Sequence, residues 1–344
     1  MTSRTTRHIA LVAIALAATS CLALSRANAA LTLTPQATAA GYGLSLFVSG
    51  FSTEANEANG PVGPLGIVFP NDGVLVSDAS GNVRFFANDT DGQIVASAPS
   101  LQNYGFNGAL GLAQINNNVY MTSQTTGLLL QIDPSAGTTI KTVASIPNAT
   151  GIAVNPINNH LFVSTYQVNT IYDVNPAMGT ATPFLAAFLD GLSTDGTTLY
   201  GAAPGSSHVL GFNIASGQQV FDSGVIAGIP DGTALGQGAL SGILFANTNG
   251  GTVVAINLQT DVQTVLADSG SRGDFVAVDP NGTLLLTQTD SIYRLTAPSG
   301  SNFGVPPPTT SVPLPSAAWQ SLSFVGMFGL VYGAHKARTR RVAH

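Results

Sequence analysis

The sequence predicts an all-β protein, a six-bladed propeller closed by a strand from its own N-terminal side, and three observations predict it. Paired apolar runs recur six times, starting at 66, 111, 151, 191, 232 and 275 with spacings of 40 to 45 residues. That is the period of a four-stranded blade. Charged residues are only 8% of the 344, while Gly, Asn, Thr and Ser abound, a composition poor in helix formers and rich in strand and turn formers. Hydrophobic content of 44% argues against a disordered chain. Finally, the last unit is one strand short and a spare strand-like run, 44–48, stands before the first.

The runs at 66–69, 111–113, 151–154, 191–193, 232–235 and 275–278 read as first strands. Their hairpin partners are 74–77, 119–122, 161–164, 199–201, 243–246 and 284–287. Turn residues separate the pairs, as at Asn71-Asp72-Gly73, Asn158-Asn159, Asp195-Gly196 and Asn281-Gly282. Third strands follow at 83–85, 128–132, 170–174, 209–212, 252–256 and 292–295, and fourth strands at 139–143, 183–188 and 264–267. A ring whose last blade has three strands exposes an edge; run 44–48, placed as the outer strand of that blade, seals it. The propeller then occupies 40–297, with no second domain. A β-sandwich or β-helix is the alternative use of the same strands.

The two ends differ from the body in charge. All 17 acidic residues lie between Glu54 and Asp290, and within the body 40–297 only Arg84, Lys141, Arg272 and Arg294 oppose them, leaving a net −13. Such a surface repels phosphate backbones and disfavours nucleic acid as a partner. Residues 1–29 read as a signal peptide: Arg4 and Arg7, then an uncharged apolar run, then Ala27-Asn28-Ala29 as a small-x-small cleavage site. An anchor helix and lipidation at Cys21 are the alternatives, the latter weakened by Ala18 where Leu or Val is usual. Cys21 is the only cysteine, so no internal disulfide forms.

At the other end, a Pro-rich spacer (298–311) leads to a tail at 312–344 whose uncharged run 317–334 is just long enough to cross a bilayer as a helix. Lys336, Arg338, Arg340 and Arg341 would hold its end on the cytoplasmic side. A helix packed on the body is the alternative. Val312-Pro313-Leu314-Pro315-Ser316-Ala317-Ala318-Trp319, followed by the apolar run and the Arg cluster, resembles a PEP-CTERM sorting tail of the VPLPA type. The resemblance implies an exosortase-like sorting enzyme as partner and transient inner-membrane anchoring through the tail helix. It further implies export to the outer envelope, surface or matrix of a Gram-negative bacterium, alongside exopolysaccharide. Leu314 in place of Glu, and Ser316 in place of Ala, depart from the family's motifs.

Aligning the six units exposes one chemical pattern. The residues ahead of the first strands are Leu65, Leu110, Thr150, Asp190, Asp231 and Asp274. First strands line a propeller's channel, so the three carboxylates should converge on one face near the axis. Like charges so placed raise one another's pKa unless a cation compensates, and a hard ion such as Ca²⁺ would do so. A plain loop-to-strand turn is the alternative for each Asp-Gly. The repeat itself resembles the six-bladed family of NHL-repeat and gluconolactonase-like proteins. Ile229-Pro230-Asp231-Gly232 resembles that family's Pro-Asp-Gly element, which implies a metal-binding role for Asp231. The family's Glu in the first blade has no counterpart, since Pro64-Leu65-Gly66 stands there.

No nucleophile elbow, P-loop or His/Cys metal cluster occurs, and His160 and His208 read as loop residues. The first reading is therefore an exported, non-enzymatic binding or structural propeller. The alternative is a Ca-dependent lactonase-like hydrolase using Asp190, Asp231 and Asp274.

Overall fold

The structure is a computed structural model and describes residues 30–55 and 60–303. The signal segment with Ala27 and Ala29 lies outside them. So does the sorting tail with Val312, Pro313, Leu314, Pro315, Trp319, Arg338, Arg340 and Arg341. Among the described residues no helix is long and apolar enough to cross a membrane.

Six antiparallel sheets follow the chain in order. Blade one is Pro64–Val68, Val74–Asp78, Asn82–Phe86 and Ser100–Asn103; blade two is Leu112–Ile115, Asn118–Ser123, Leu128–Ile132 and Thr139–Ser145. Blade three is Ala149–Val154, Leu161–Thr165, Ile171–Asn175 and Thr180–Leu185, its fourth strand three residues earlier than the sequence pattern places it. Blade four is Asp190–Thr194, Thr198–Ala203, His208–Asn213 and Gln219–Asp222. Blade five is Pro230–Leu235, Ile243–Thr248, Val253–Asn257 and Gln263–Asp268. Blade six contributes Val276–Val278, Leu284–Thr287 and Ser291–Thr296, and takes its fourth strand, Gly43–Ser49, from the other end of the chain.

That closing strand pairs antiparallel with Ser291–Thr296, Leu44 opposite Leu295. Its side chains Phe47 and Val48 are fully buried and pack with Ile67, Val76 and Phe86 of blade one and Leu285 and Ile292 of blade six. Each neighbouring pair of blades shares a cluster of this kind, so the apolar stabilisation runs round the ring without a gap. The body also takes in Thr32–Leu33, which extends blade five beside Gln263–Asp268. At the other end it takes in Phe303, which stacks edge-on against Phe245 at 4.8 Å.

Glycines let the blades meet at the axis. A Cβ on Gly191, at φ +48°, would stand 1.7 Å from the Asp231 carbonyl oxygen of the next blade, and one on Gly232 2.3 Å from that of Asp274. Only glycine permits such an approach. Second-strand side chains then staple the blades: Ser77 Oγ donates to Leu110 O, Thr122 Oγ1 to Thr150 O, and Asn247 Nδ2 to Asp274 O.

A clasp covers the closure. Arg294 of blade six is bonded by Asp279, by Asp89 and by Asp91, the last at 2.7 Å. Its guanidinium lies 5.1 Å from the centre of the Phe47 ring. Asp89 and Asp91 belong to a blade-one loop that also receives Ser45 Oγ of the closing strand on Asp91 at 2.5 Å. The loop then runs Gln93–Ile94 parallel to Val48–Ser49.

Candidate functional site

The channel is divided. At its narrowest level, among Gly66, Gly111, Gly191 and Thr233, it holds only about 30 Å³. On one side lies a polar mouth of about 520 Å³, on the other an apolar mouth of about 530 Å³.

The polar mouth is built by the residues entering the first strands, as the unit alignment predicts. Leu65, Leu110, Thr150, Asp190, Asp231 and Asp274 all line it. The ladder slips next to this level in blades one, three, four and five, between Pro64 and Ile67, Ala149 and Ile152, Asp190 and Ser193, and Pro230 and Gly232. Bulges at a channel rim re-aim side chains. Here they lie beside Asp190 and Asp231, while Asp274 enters blade six with no such slip.

Arg272 enters between the acids. Its Nη2 donates to Asp274 Oδ2 at 3.0 Å and lies 3.6 Å from Asp231 Oδ2, while Nη1 donates to the Gly60 carbonyl at 3.3 Å. Asp231 and Asp274 are buried and Asp190 is half-buried. Burial raises the pKa of all three. For Asp231 the neighbouring Asp274 and Asp190 push further, and it stands well above the ordinary carboxylate value. Asp274 is raised by burial against the opposing pull of Arg272. Asp190, raised by burial and then by Asp274, reaches about 7, with its Gly191 N–H bond and Arg272 acting in the other direction. It makes no ion pair among the described residues.

One cation among three acids leaves the site unsaturated, and the neighbours show it. Among the described residues, the buried side-chain polar atoms without a hydrogen-bond partner are Asn249 Nδ2, Asn249 Oδ1 and Arg272 Nε, and both residues line this mouth. The Asn249 amide faces Asp231 and favours its ionised form, yet neither amide atom reaches hydrogen-bond geometry. Buried polar groups are paired as a rule, and an orphan calls for an explanation such as an ordered water or an ion.

The unit alignment at the first strands did not reveal Asn249 or the aromatic flank. A second alignment would have: the residues at the equivalent position past each second strand are Ala79, Gln124, Tyr166, Pro204, Asn249 and Thr289. Four of these, Gln124, Tyr166, Pro204 and Asn249, line the mouth. Tyr166 stacks edge-on with Phe188 at 5.8 Å, giving the acidic pocket one apolar wall. His160 and His208 bond Asp173 and Asp222 at 2.8 and 2.6 Å and line neither mouth.

No family model matches the sequence and no curated protein matches it. Solved structures share the fold. A gluconolactonase from Xanthomonas campestris is 15% identical with a TM-score of 0.56, covering 77% of this chain and 94% of its own. Regucalcin from Agrobacterium tumefaciens, described as a calcium-binding protein, is 17% identical with a TM-score of 0.54 over 75% and 97%. A protein from Thermus thermophilus described as a putative oxidoreductase (glucose dehydrogenase) is 17% identical with a TM-score of 0.54 over 74% and 100%. At these identities the likeness is one of fold.

Proposed function

We propose that this chain is an exported propeller whose polar mouth hydrolyses a small, oxygen-rich ester of the lactone class with the help of a divalent cation. The observation that carries the reading is the meeting of Asp190, Asp231 and Asp274 around one guanidinium, with the Asn249 amide left unpaired beside them. Among the described residues, no three His, Cys, Asp or Glu side chains stand so as to hold a metal by themselves. The orphaned Asn249 Oδ1 changes that count. With the Asp190 and Asp231 carboxylates it makes an all-oxygen donor set, which suits a hard cation such as Ca²⁺. Asp274, bonded to Arg272, is the third acid and stands beside the set.

A bound cation supplies Lewis acidity toward an ester carbonyl. The chain's own residues do the rest. Asp190, whose pKa stands at about 7 in the cation-free site, would release its proton on holding the cation. Arg272 opposes the effect of burial on Asp274 and fixes the position of its carboxylate, and the Tyr166–Phe188 wall receives the ligand's less polar face. Support for this reading also comes from the fold shared with a gluconolactonase and with calcium-binding regucalcin.

The test is a calcium titration of EDTA-treated protein followed by melting temperature, with glucono-δ-lactone hydrolysis measured on the same samples. The reading expects a rise of several degrees at millimolar calcium, since ligand at 100 times its Kd adds about 2.7 kcal/mol, together with calcium-dependent turnover. Both should vanish in Asp231→Asn. No shift removes the cation. A shift without turnover leaves the second reading, a non-enzymatic binding module, which the segments 1–29 and 312–344 favour by reading as export and sorting signals. For those segments the expectation is that deleting 312–344 releases a soluble folded body into the medium; retention of that variant in the membrane would count against the sorting role.

A further inference from the structure

The second mouth is a site of a different kind. It is a blind cavity of about 530 Å³, shut from the polar mouth at the glycine level where only about 30 Å³ remains. That volume lies within the usual range for small-molecule sites. Phe69, Val154, Leu192, Leu235 and Val278 give its walls their character.

Most of its polar side chains are paired within the body. Gln114 accepts from Phe69 N–H and donates to Asn116 O. Ser193 and Thr233 hydroxyls bond each other at 2.9 Å, and Thr194 donates to Thr198 O. Asp195, the one charged residue among those lining the cavity, accepts from the N–H groups of Thr197 and Thr198. The paired groups leave few sites for a polar ligand, and the single carboxylate at the rim repels an anionic one.

The chain leaves the body beside this mouth. Asn302 bridges Gln237, which lines the cavity, and the next residue, Phe303, is the last described before a 41-residue segment that contains the uncharged run 317–334 and the basic cluster after it. A tail inserted in a bilayer would tether this mouth within about 45 Å of lipid, the extended reach of residues 304–316. We propose that the apolar mouth binds one acyl chain of a lipid with a neutral or zwitterionic headgroup. The inference is independent of the chemistry at the other mouth.

The test uses the full chain in phosphatidylcholine vesicles with a monoacyl phosphocholine whose dodecanoyl chain ends in a diazirine. Irradiation and peptide mapping should place adducts on 67–69, 152–154, 235 and 276–278. Leu235→Glu should cut that labelling by about tenfold, the effect of a charge in an apolar site, while keeping a cooperative melt. Unlabelled dodecanoyl-phosphocholine should compete on the unaltered chain and glycerophosphocholine should not, a result that does not depend on any variant folding. Adducts confined to 317–334 or scattered over the outer strands would overturn the proposal. So would labelling of the cavity that appears only after residues 304–344 are deleted, because the occupant would then be the chain's own tail.

Discussion

Two places in this molecule have the same composition and opposite character. The polar mouth sets Asp190, Asp231 and Asp274 around Arg272; the closure clasp sets Asp89, Asp91 and Asp279 around Arg294. In the clasp every donor group of the guanidinium is used, with Thr283 Oγ1 and the Asp89 carbonyl completing the set. Its carboxylates find further partners in Ser45, Asn281 and Thr283. At the mouth, among the described residues, Arg272 Nε is unpaired, Asp190 has no ion pair, and the adjoining amide is orphaned. A saturated ionic network fixes one geometry, and an unsaturated one is left waiting for a ligand. Residue type alone says nothing of this; satisfaction does.

If that contrast is right, the largest effect belongs to Arg294→Ala. It strands the buried Asp279 and loosens the closing strand, and breaking a buried pair costs about 3–5 kcal/mol. Calcium should not restore it, as measured by chemical unfolding with and without the ion.

Arg272→Ala also leaves buried acids without their cation, but the acids at the mouth already lean toward the protonated form. Its destabilisation should be smaller, about 2 kcal/mol at pH 8, and should shrink toward pH 5 or on adding calcium. A loss as large and as calcium-blind as that of Arg294→Ala would erase the distinction between the two networks.

Asp190 gives a signed pH test. Its folded pKa, about 7, lies above the ordinary value of 3.8, so the folded state holds a proton that the unfolded state has released. Stability from this group is full below about pH 4 and is lost as pH rises toward 7. In EDTA, Asp190→Asn should flatten that slope and melt above the parent at pH 8. A parent curve that rises between pH 4 and 7 with no change of slope in the variant would break the assignment.

The smallest effect separates the sites by ligand. Asp91→Asn, at the exposed side of the clasp, should cost about 1 kcal/mol and leave the calcium-induced shift in melting temperature unchanged. Loss of that shift would place the cation at the clasp.

Much of the architecture was open to reading in the chain. The 40-residue period predicted the blades and their number, because one blade cannot bury its two faces alone and the hydrophobic pattern must therefore repeat. The short last unit and the spare run at 44–48 predicted the closure, since an open edge is costly. The alignment at the first strands placed Asp190, Asp231 and Asp274 together, which follows from equal radius in a ring. Arg272 was visible only as a nearby cation, and its insertion between Asp231 and Asp274 was not. Asn249 and Tyr166 lie just past the ends of second strands, where the spacing of the first strands gives no signal.

The sequence by itself determined the repeat, the strand order, the closure and which blades carry acids at the channel. Those properties are periodic, and periodicity survives in one dimension. Only the tertiary structure decided that Arg294 is saturated and Arg272 is not, that glycines pinch the channel in two, and that one mouth is polar and the other apolar. Partners in these networks lie up to about two hundred residues apart, as Arg294 and Asp89 do. Hydrogen-bond satisfaction depends on atoms meeting in space, and no spacing along the chain records it.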